Sequence, residues 1–289
     1  MSTIQNINLI KTNMKKRTKN VLLTIDGQRD FCVPGGALYV PGADKDMQRL
    51  SKWINQNENE LDDIFVSMDS HPPIHISHPQ FWMDSKSNIV DPMTLIKYDD
   101  IMNGKYIPRF YRNRAIAYVK YLEDQGKFSH IVWPEHCLQG NIGFCLEENL
   151  FSAIKQWTYK GNAFSTIIKG SNPLTEFYGI MAAQQTNEDP ETQLNQKVLD
   201  IFETFENVYF SGQARSHCCA ITLEQFLDSA PNLAKKLIIL EDTMSDVAGS
   251  PAPGSPTFGE LAQPIYDRAK AAGVRFAKTT DVVLDSAHA

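Results

Sequence analysis

Six short apolar runs punctuate the chain, at residues 20–25, 63–68, 165–169, 208–211, 237–240 and 274–277. They are rich in Val, Ile, Leu and Phe and show little polar alternation, the pattern of strands covered on both faces. Between them lie stretches with apolar positions at helical spacing: 44–55, 193–206, 220–227 and 258–272, the last closed by Gly273. Alternating strands and helices predict an α/β fold: a mostly parallel six-stranded sheet in three layers, with helices on both faces. Residues 20–289 read as a single domain behind a flexible N-terminal arm, 1–19. Residues 80–130 break the rhythm. They are long, charged and aromatic (Phe81, Trp82, Tyr106, Phe110, Tyr111, Tyr118, Tyr121). They read as an insertion with some helix, packed on the sheet or on a second subunit, and so as a candidate homo-oligomer contact. Pro34-Gly35-Gly36 predicts a turn, and the Gly/Pro/Ser-rich stretch 248–256 a mobile loop passing near the site.

Composition narrows the partners. The chain has 289 residues and a formal net charge of -6. That balance argues against nucleic acid or an anionic membrane surface. Five cysteines (Cys32, Cys137, Cys145, Cys218, Cys219) are an odd number for a disulfide framework and fit a reducing compartment. The first twenty residues lack the apolar core of a secretory signal, and no apolar run is long enough to span a bilayer. The expectation is a soluble, cytoplasmic protein.

Chemistry-bearing residues collect just after the apolar runs, where open parallel sheets bind ligands. Asp26 follows the first run. An Asp there often only caps a turn, but Phe31 and the Pro-Gly-Gly turn follow closely. Asp69-Ser70-His71 follows the second. Residues two apart on extended chain point the same way, so Asp69 and His71 can face one point. His75 extends the set, His136 in Trp133-Pro-Glu-His-Cys137 can complete it, and His78 reads as a bystander. Carboxylate with imidazole suits zinc and other divalent metals, although a polar loop with incidental histidines has the same residues. Cys218 stands where the run 208–211 hands over to a helix starting near Ala220. The positive end of that helix would lower its pKa, and N–H groups of the turn could hold an oxyanion. Cys219 reads as core, and His217 as badly placed for a base, because neighbours on a turn seldom face each other. Lys169 ends another run. It is either a solvent-facing charge or, beside Asp26 and Cys218, a group that favours the thiolate.

With these residues in view, the chain resembles the nicotinamidases of the isochorismatase-like cysteine hydrolase superfamily. The likeness covers roughly 20–79, 131–180 and 205–280. It rests on five segments in order: 25–38, Asp69 to His75, Trp133 to Cys137, Lys169-Gly170, and Gly212 to Cys218. The resemblance implies Cys218 as nucleophile, Asp26 as proton shuttle and Lys169 as third member of the catalytic set. It implies one divalent metal on Asp69, His71 and His136, with His75 a candidate fourth ligand. Zinc comes first, with iron and manganese as alternatives. Phe31 and Trp133 would sandwich the ring, with Tyr178 in the same substrate pocket. The N–H groups of Ala214 and Cys218 would form the oxyanion hole, with a cis peptide at Gln213-Ala214. The implied reaction converts nicotinamide to nicotinate and ammonia through a Cys thioester, a step of NAD salvage and pyridine nucleotide biosynthesis. The alternatives are an amidase acting on another carboxamide or ureido compound, and a catalytically silent binding member. The chain departs from the family at 214–219 (Ala-Arg-Ser-His-Cys-Cys), at 177–180 (Phe-Tyr-Gly-Ile) and in its longer insertion. Arg215, near the expected mouth, would favour an acidic substrate.

Overall fold

The computed structural model describes residues 19–126 and 129–284. The arm read at 1–19 lies, but for Lys19, outside them. Six strands form one parallel sheet: β1 Asn20–Ile25, β2 Asp63–Asp69, β3 Ser165–Lys169, β4 Asn207–Gly212, β5 Leu237–Leu240 and β6 Arg275–Ala277, in the order β6-β5-β4-β1-β2-β3. All six apolar runs are therefore strands. Side chains alternate across the sheet, as a two-residue period requires. Val21, Leu23, Ile25 and Phe210 point into one core; Leu22, Ile64, Val66 and Tyr209 point into the other. Helices α1 (Ala43–Gln56) and α3 (Glu148–Thr158) cover the second face. Helices α4 (Gln196–Glu203), α5 (Ala220–Ser229) and α6 (Phe258–Ala271) cover the first.

The helix read at 193–206 is shorter than its apolar pattern. Asn195 caps α4 by accepting the Val198 N–H at 3.3 Å, so Gln193 to Asn195 fall outside it. Residues 80–126 with 129–132 pair outside the main sheet. Trp82–Asp84 pairs with Tyr106–Pro108, and Thr94–Ile96 with His130–Val132, both antiparallel. With α2 (Arg112–Gln125) they enclose a separate core built on Phe81, Trp82, Ile96, Ile101, Tyr118 and Val119. Much of the aromatic content of this insertion is thus spent inside it. No described helix is long and apolar enough to cross a membrane.

Register positions the site. Strand β1 lies between β2 and β4, so chain connections leave it in both directions, which opens a crevice at the carboxyl edge. Asp69 and Lys169 are direct partners across β2 and β3, and Ile25 pairs with Gly212 across β1 and β4. Gly212 has φ 125°, and a Cβ there would fall 2.0 Å from the Ile25 carbonyl oxygen. Only glycine lets β4 turn this close to β1.

Candidate active site

Asp26, the residue after β1, holds a left-handed backbone (φ 45°), uncommon for any residue but glycine. Ser67 of β2 fixes it twice. The Asp26 N–H donates to Ser67 Oγ at 3.0 Å, and that hydroxyl donates to Asp26 Oδ1 at 2.5 Å. The second carboxylate oxygen meets Lys169 Nζ at 2.8 Å. Lys169 is no solvent-facing charge: its side chain is 1% exposed. Its ammonium also lies 3.2 Å from Asp69 Oδ1 and 3.7 Å from Cys218 Sγ, and donates to the Phe177 carbonyl at 2.9 Å. Acid, lysine and thiol, from three separate stretches of chain, therefore meet at one ammonium.

Cys218 sits in a wide helical turn, Arg215–Cys219, that precedes α5. The Ala214 carbonyl accepts the N–H of both His217 and Cys219, and the Gln213–Ala214 peptide is cis, as the resemblance implied. This geometry corrects the expected thiol acidity. Burial pushes the Cys218 pKa well above the usual thiol value, and Lys169 only partly opposes it. The resting group is the thiol. Burial likewise raises Asp26 above the ordinary aspartate value, against the pull of Lys169. Burial works against charge on Lys169, but Asp26 and Asp69 outweigh it and hold the ammonium well above its usual pKa. The site thus pairs a protonated sulfur with a carboxylate made more basic by burial.

Beside this set lies a histidine cluster. Gln28 clamps Asp69 through two backbone bonds: its Oε1 accepts the Asp69 N–H at 2.7 Å, and its Nε2 donates to the Asp69 carbonyl at 2.8 Å. Nδ1 of His71 meets the Gly170 carbonyl at 3.2 Å, and Nδ1 of His136 the Pro134 carbonyl at 2.7 Å. Carbonyls only accept, so both Nδ1 atoms carry the proton and both Nε2 atoms present lone pairs in the neutral rings. Those two nitrogens face the same oxygen, Asp69 Oδ2, at 3.0 and 3.4 Å. Three donor atoms are thereby gathered toward one point, and the set fits a divalent cation.

His78 corrects the reading that made it a bystander. It is fully buried, its ring centroid lies 4.8 Å from that of His71 and 5.1 Å from that of His136, and neither ring nitrogen has a hydrogen-bond partner among the described residues. His75 is also buried and adjacent, with ring centroids 4.2 Å apart from His71. Its Nδ1, however, receives the Ser77 N–H at 3.2 Å, which puts its proton on Nε2. His71, His75 and His78 bring ring nitrogens within 4.8 Å of one another, a second group that shares His71 with Asp69 and His136.

A cleft of about 370 Å³ opens onto both groups. Asp69, His136, Ala214 and Cys218 reach it, and so do Phe31, Trp133 and Tyr178. Trp133 Nε1 donates to the Tyr178 hydroxyl at 2.9 Å, which locks the two rings together. Sequence reading missed Leu38, Glu176, His217 and Val247 in this wall. His217 packs against Trp133, Tyr178 and Phe258, and burial lowers its pKa to about 4, so it serves as a neutral wall. Val247, the residue before the loop read at 248–256, borders the cleft; none of the residues 248–256 lines it. Arg215 does not line this cleft. It pairs with Asp246 at 3.2 Å and stacks over Tyr266 at 4.2 Å, which removes the case for an acidic substrate.

Comparison with solved structures matches this architecture to the yeast nicotinamidase bound to the inhibitor nicotinaldehyde. The TM-score is 0.60 at 20% identity, over 90% of this chain and 99% of that one. The chain has the fold of the nicotinamidases. It also matches the Pyrococcus horikoshii pyrazinamidase in complex with zinc, with a TM-score of 0.50 at 19% identity, over 90% and 99% of the two chains. In sequence it is 24% identical to the nicotinamidase of Saccharomyces cerevisiae over 230 residues, 80% of this chain and 89% of that protein. The nicotinamidase of Escherichia coli is equally similar, 24% over 241 residues, 83% and 89% of the two. No family model matches the chain. The likeness read from five motifs is borne out, and it spans nearly the full length of these relatives.

Proposed function

We propose that the protein hydrolyses nicotinamide, or a closely related aromatic carboxamide, to the acid and ammonia. The observation that carries this reading is the contact of one buried ammonium, Lys169, with Asp26, Asp69 and Cys218. Asp26, held in place by Ser67 and made basic by burial, takes the proton of the Cys218 thiol as sulfur attacks the amide carbon. Lys169 balances the resulting negative charge. The N–H groups of Ala214 and Cys218 stabilise the oxyanion, usually a large part of the rate enhancement. Asp26 returns the proton to the departing nitrogen, the C–N bond breaks, and ammonia leaves a thioester on Cys218. Water, deprotonated by Asp26, then releases the acid and restores the thiol.

Asp69, His71 and His136 would hold a divalent metal. When bound, that cation supplies a Lewis-acid anchor for a ring nitrogen. The zinc in the similar pyrazinamidase supports zinc as the ion. Phe31, Trp133 and Tyr178 hold the ring, and orientation of this kind is worth several kcal/mol of barrier. A silent binding role is disfavoured because acid, lysine and thiol are all retained at contact distance. The test is ammonia release from nicotinamide by the purified protein and by Cys218→Ala, with metal content measured on both. The expected result is release by the wild type, a loss of at least about a thousandfold in the variant, and equal metal. Undiminished release by Cys218→Ala would remove the covalent route.

A further inference from the structure

One buried acid in the cleft has no part in that scheme. Glu176 is 3% exposed and lies in the wall of the cleft, two residues before Tyr178. Its Oε1 accepts the N–H of Phe177 at 2.9 Å, and its own N–H donates to the Tyr118 hydroxyl at 3.3 Å. Its Oε2 is buried without a hydrogen-bond partner among the described residues. The Lys169 ammonium is bound to the carbonyl of the next residue, Phe177, and already spans Asp26, Asp69 and Cys218. A buried acceptor left empty carries a penalty that a donor on a ligand would relieve. At the sulfur, Asp26 already serves the protons of the reacting amide, so a second acceptor in the same cleft is left for another part of the substrate.

Deepening the amidase reading, on which it rests, we propose that Glu176 is a specificity-determining residue. Its Oε2 accepts a hydrogen bond from an N–H or O–H donor carried on the aromatic ring. The substrate class is then an aromatic carboxamide with a ring donor, favoured over the ring with an apolar group in its place. A site built around a buried acceptor discriminates strongly against a ligand that leaves it unpaired.

The test measures ammonia release from nicotinamide and from matched derivatives bearing an amino or a methyl group at each free ring position. Wild type and Glu176→Gln are compared, with metal content and Tm as controls of folding. At one ring position the wild type should favour amino over methyl by at least about tenfold in kcat/KM, mostly through KM. In Glu176→Gln that ratio should shrink to within about threefold. Should the Gln variant fail to fold, Glu176→Asp, which withdraws the oxygens, should shrink it likewise. Equal use of every amino and methyl pair by the wild type overturns the proposal, and so does a preference that survives both variants. Hydrolysis without preference removes only the role of Glu176, whereas a wild type that releases ammonia from no carboxamide removes the amidase reading as well.

Discussion

Ser67 is a single residue on which the base depends. It offers Asp26 a short hydrogen bond inside a buried site, and that bond lowers a carboxyl pKa that burial raises. Asp26 must be ionised to accept the thiol proton, so activity falls as pH drops through its pKa. The acid limb of kcat/KM should therefore lie above the ordinary aspartate value of 3.8. Ser67→Ala removes the lowering contribution and should shift that limb to higher pH. A limb that stays in place or moves down in a pH–rate profile would contradict the role given to Asp26. Gly170 is a second such residue. It has φ 78°, and a Cβ there would lie 2.5 Å from Asp69 Oδ1 and 3.0 Å from the His71 ring. Gly170→Ala should lower bound metal and activity by at least about tenfold, read by metal analysis and ammonia assay. Asp26, Lys169 and Cys218 were legible in the sequence because each follows or ends an apolar run, a position that fixes where a residue must emerge. His78 and Glu176 were not, because their standing depends on which buried atoms lack partners.

At the scale of elements, the parallel register does the assembling. Strands β1, β2, β3 and β4 end side by side, so Asp26, Asp69, Lys169 and the turn after Gly212 meet without any long-range adjustment. One helix residue ties this edge down. Asp46 of α1, 2% exposed, accepts from Gln213 Nε2 at 2.8 Å and from Ser245 Oγ at 2.6 Å. It thereby joins α1, the turn that carries Cys218 and the loop that leads to Val247. Asp46→Ala takes the acceptor from the buried Gln213 amide and the half-buried Ser245 hydroxyl, and should cost about 2 kcal/mol of stability in urea unfolding. A loss under about 0.5 kcal/mol, the range of ordinary surface changes, would show that the network is dispensable. Strand positions were readable because doubly covered strands are continuous apolar runs. The limits of α4 were not, because a side-chain cap at Asn195 overrides the periodicity around it.

Across the whole molecule, buried neutral histidines set the response to acid. Burial lowers His130, packed between Trp82 and Tyr118 in the insertion, to about 3, and His217 to about 4, from an ordinary 6.5. Below pH 6.5 the unfolded chain takes up protons that the folded one refuses, so stability falls as pH drops from there toward 4. Each histidine adds up to about 1.4 kcal/mol per pH unit to that slope. His130→Phe keeps a ring between Trp82 and Tyr118 and should flatten the slope between pH 6 and 4; an unchanged slope in urea unfolding would place the acid sensitivity elsewhere. The insertion itself was legible only as an interruption. Its short strands pair with each other and with 130–132, contacts distant in sequence that no local period announces. The central claim is that sulfur of residue 218 forms a bond to the substrate carbonyl. Acid-quenching the enzyme during turnover of nicotinamide and weighing the peptide that contains Cys218 tests it most directly. The account predicts a nicotinoyl group on that cysteine while substrate lasts and its disappearance afterwards; continued ammonia release with Cys218 unmodified at every time point would contradict it.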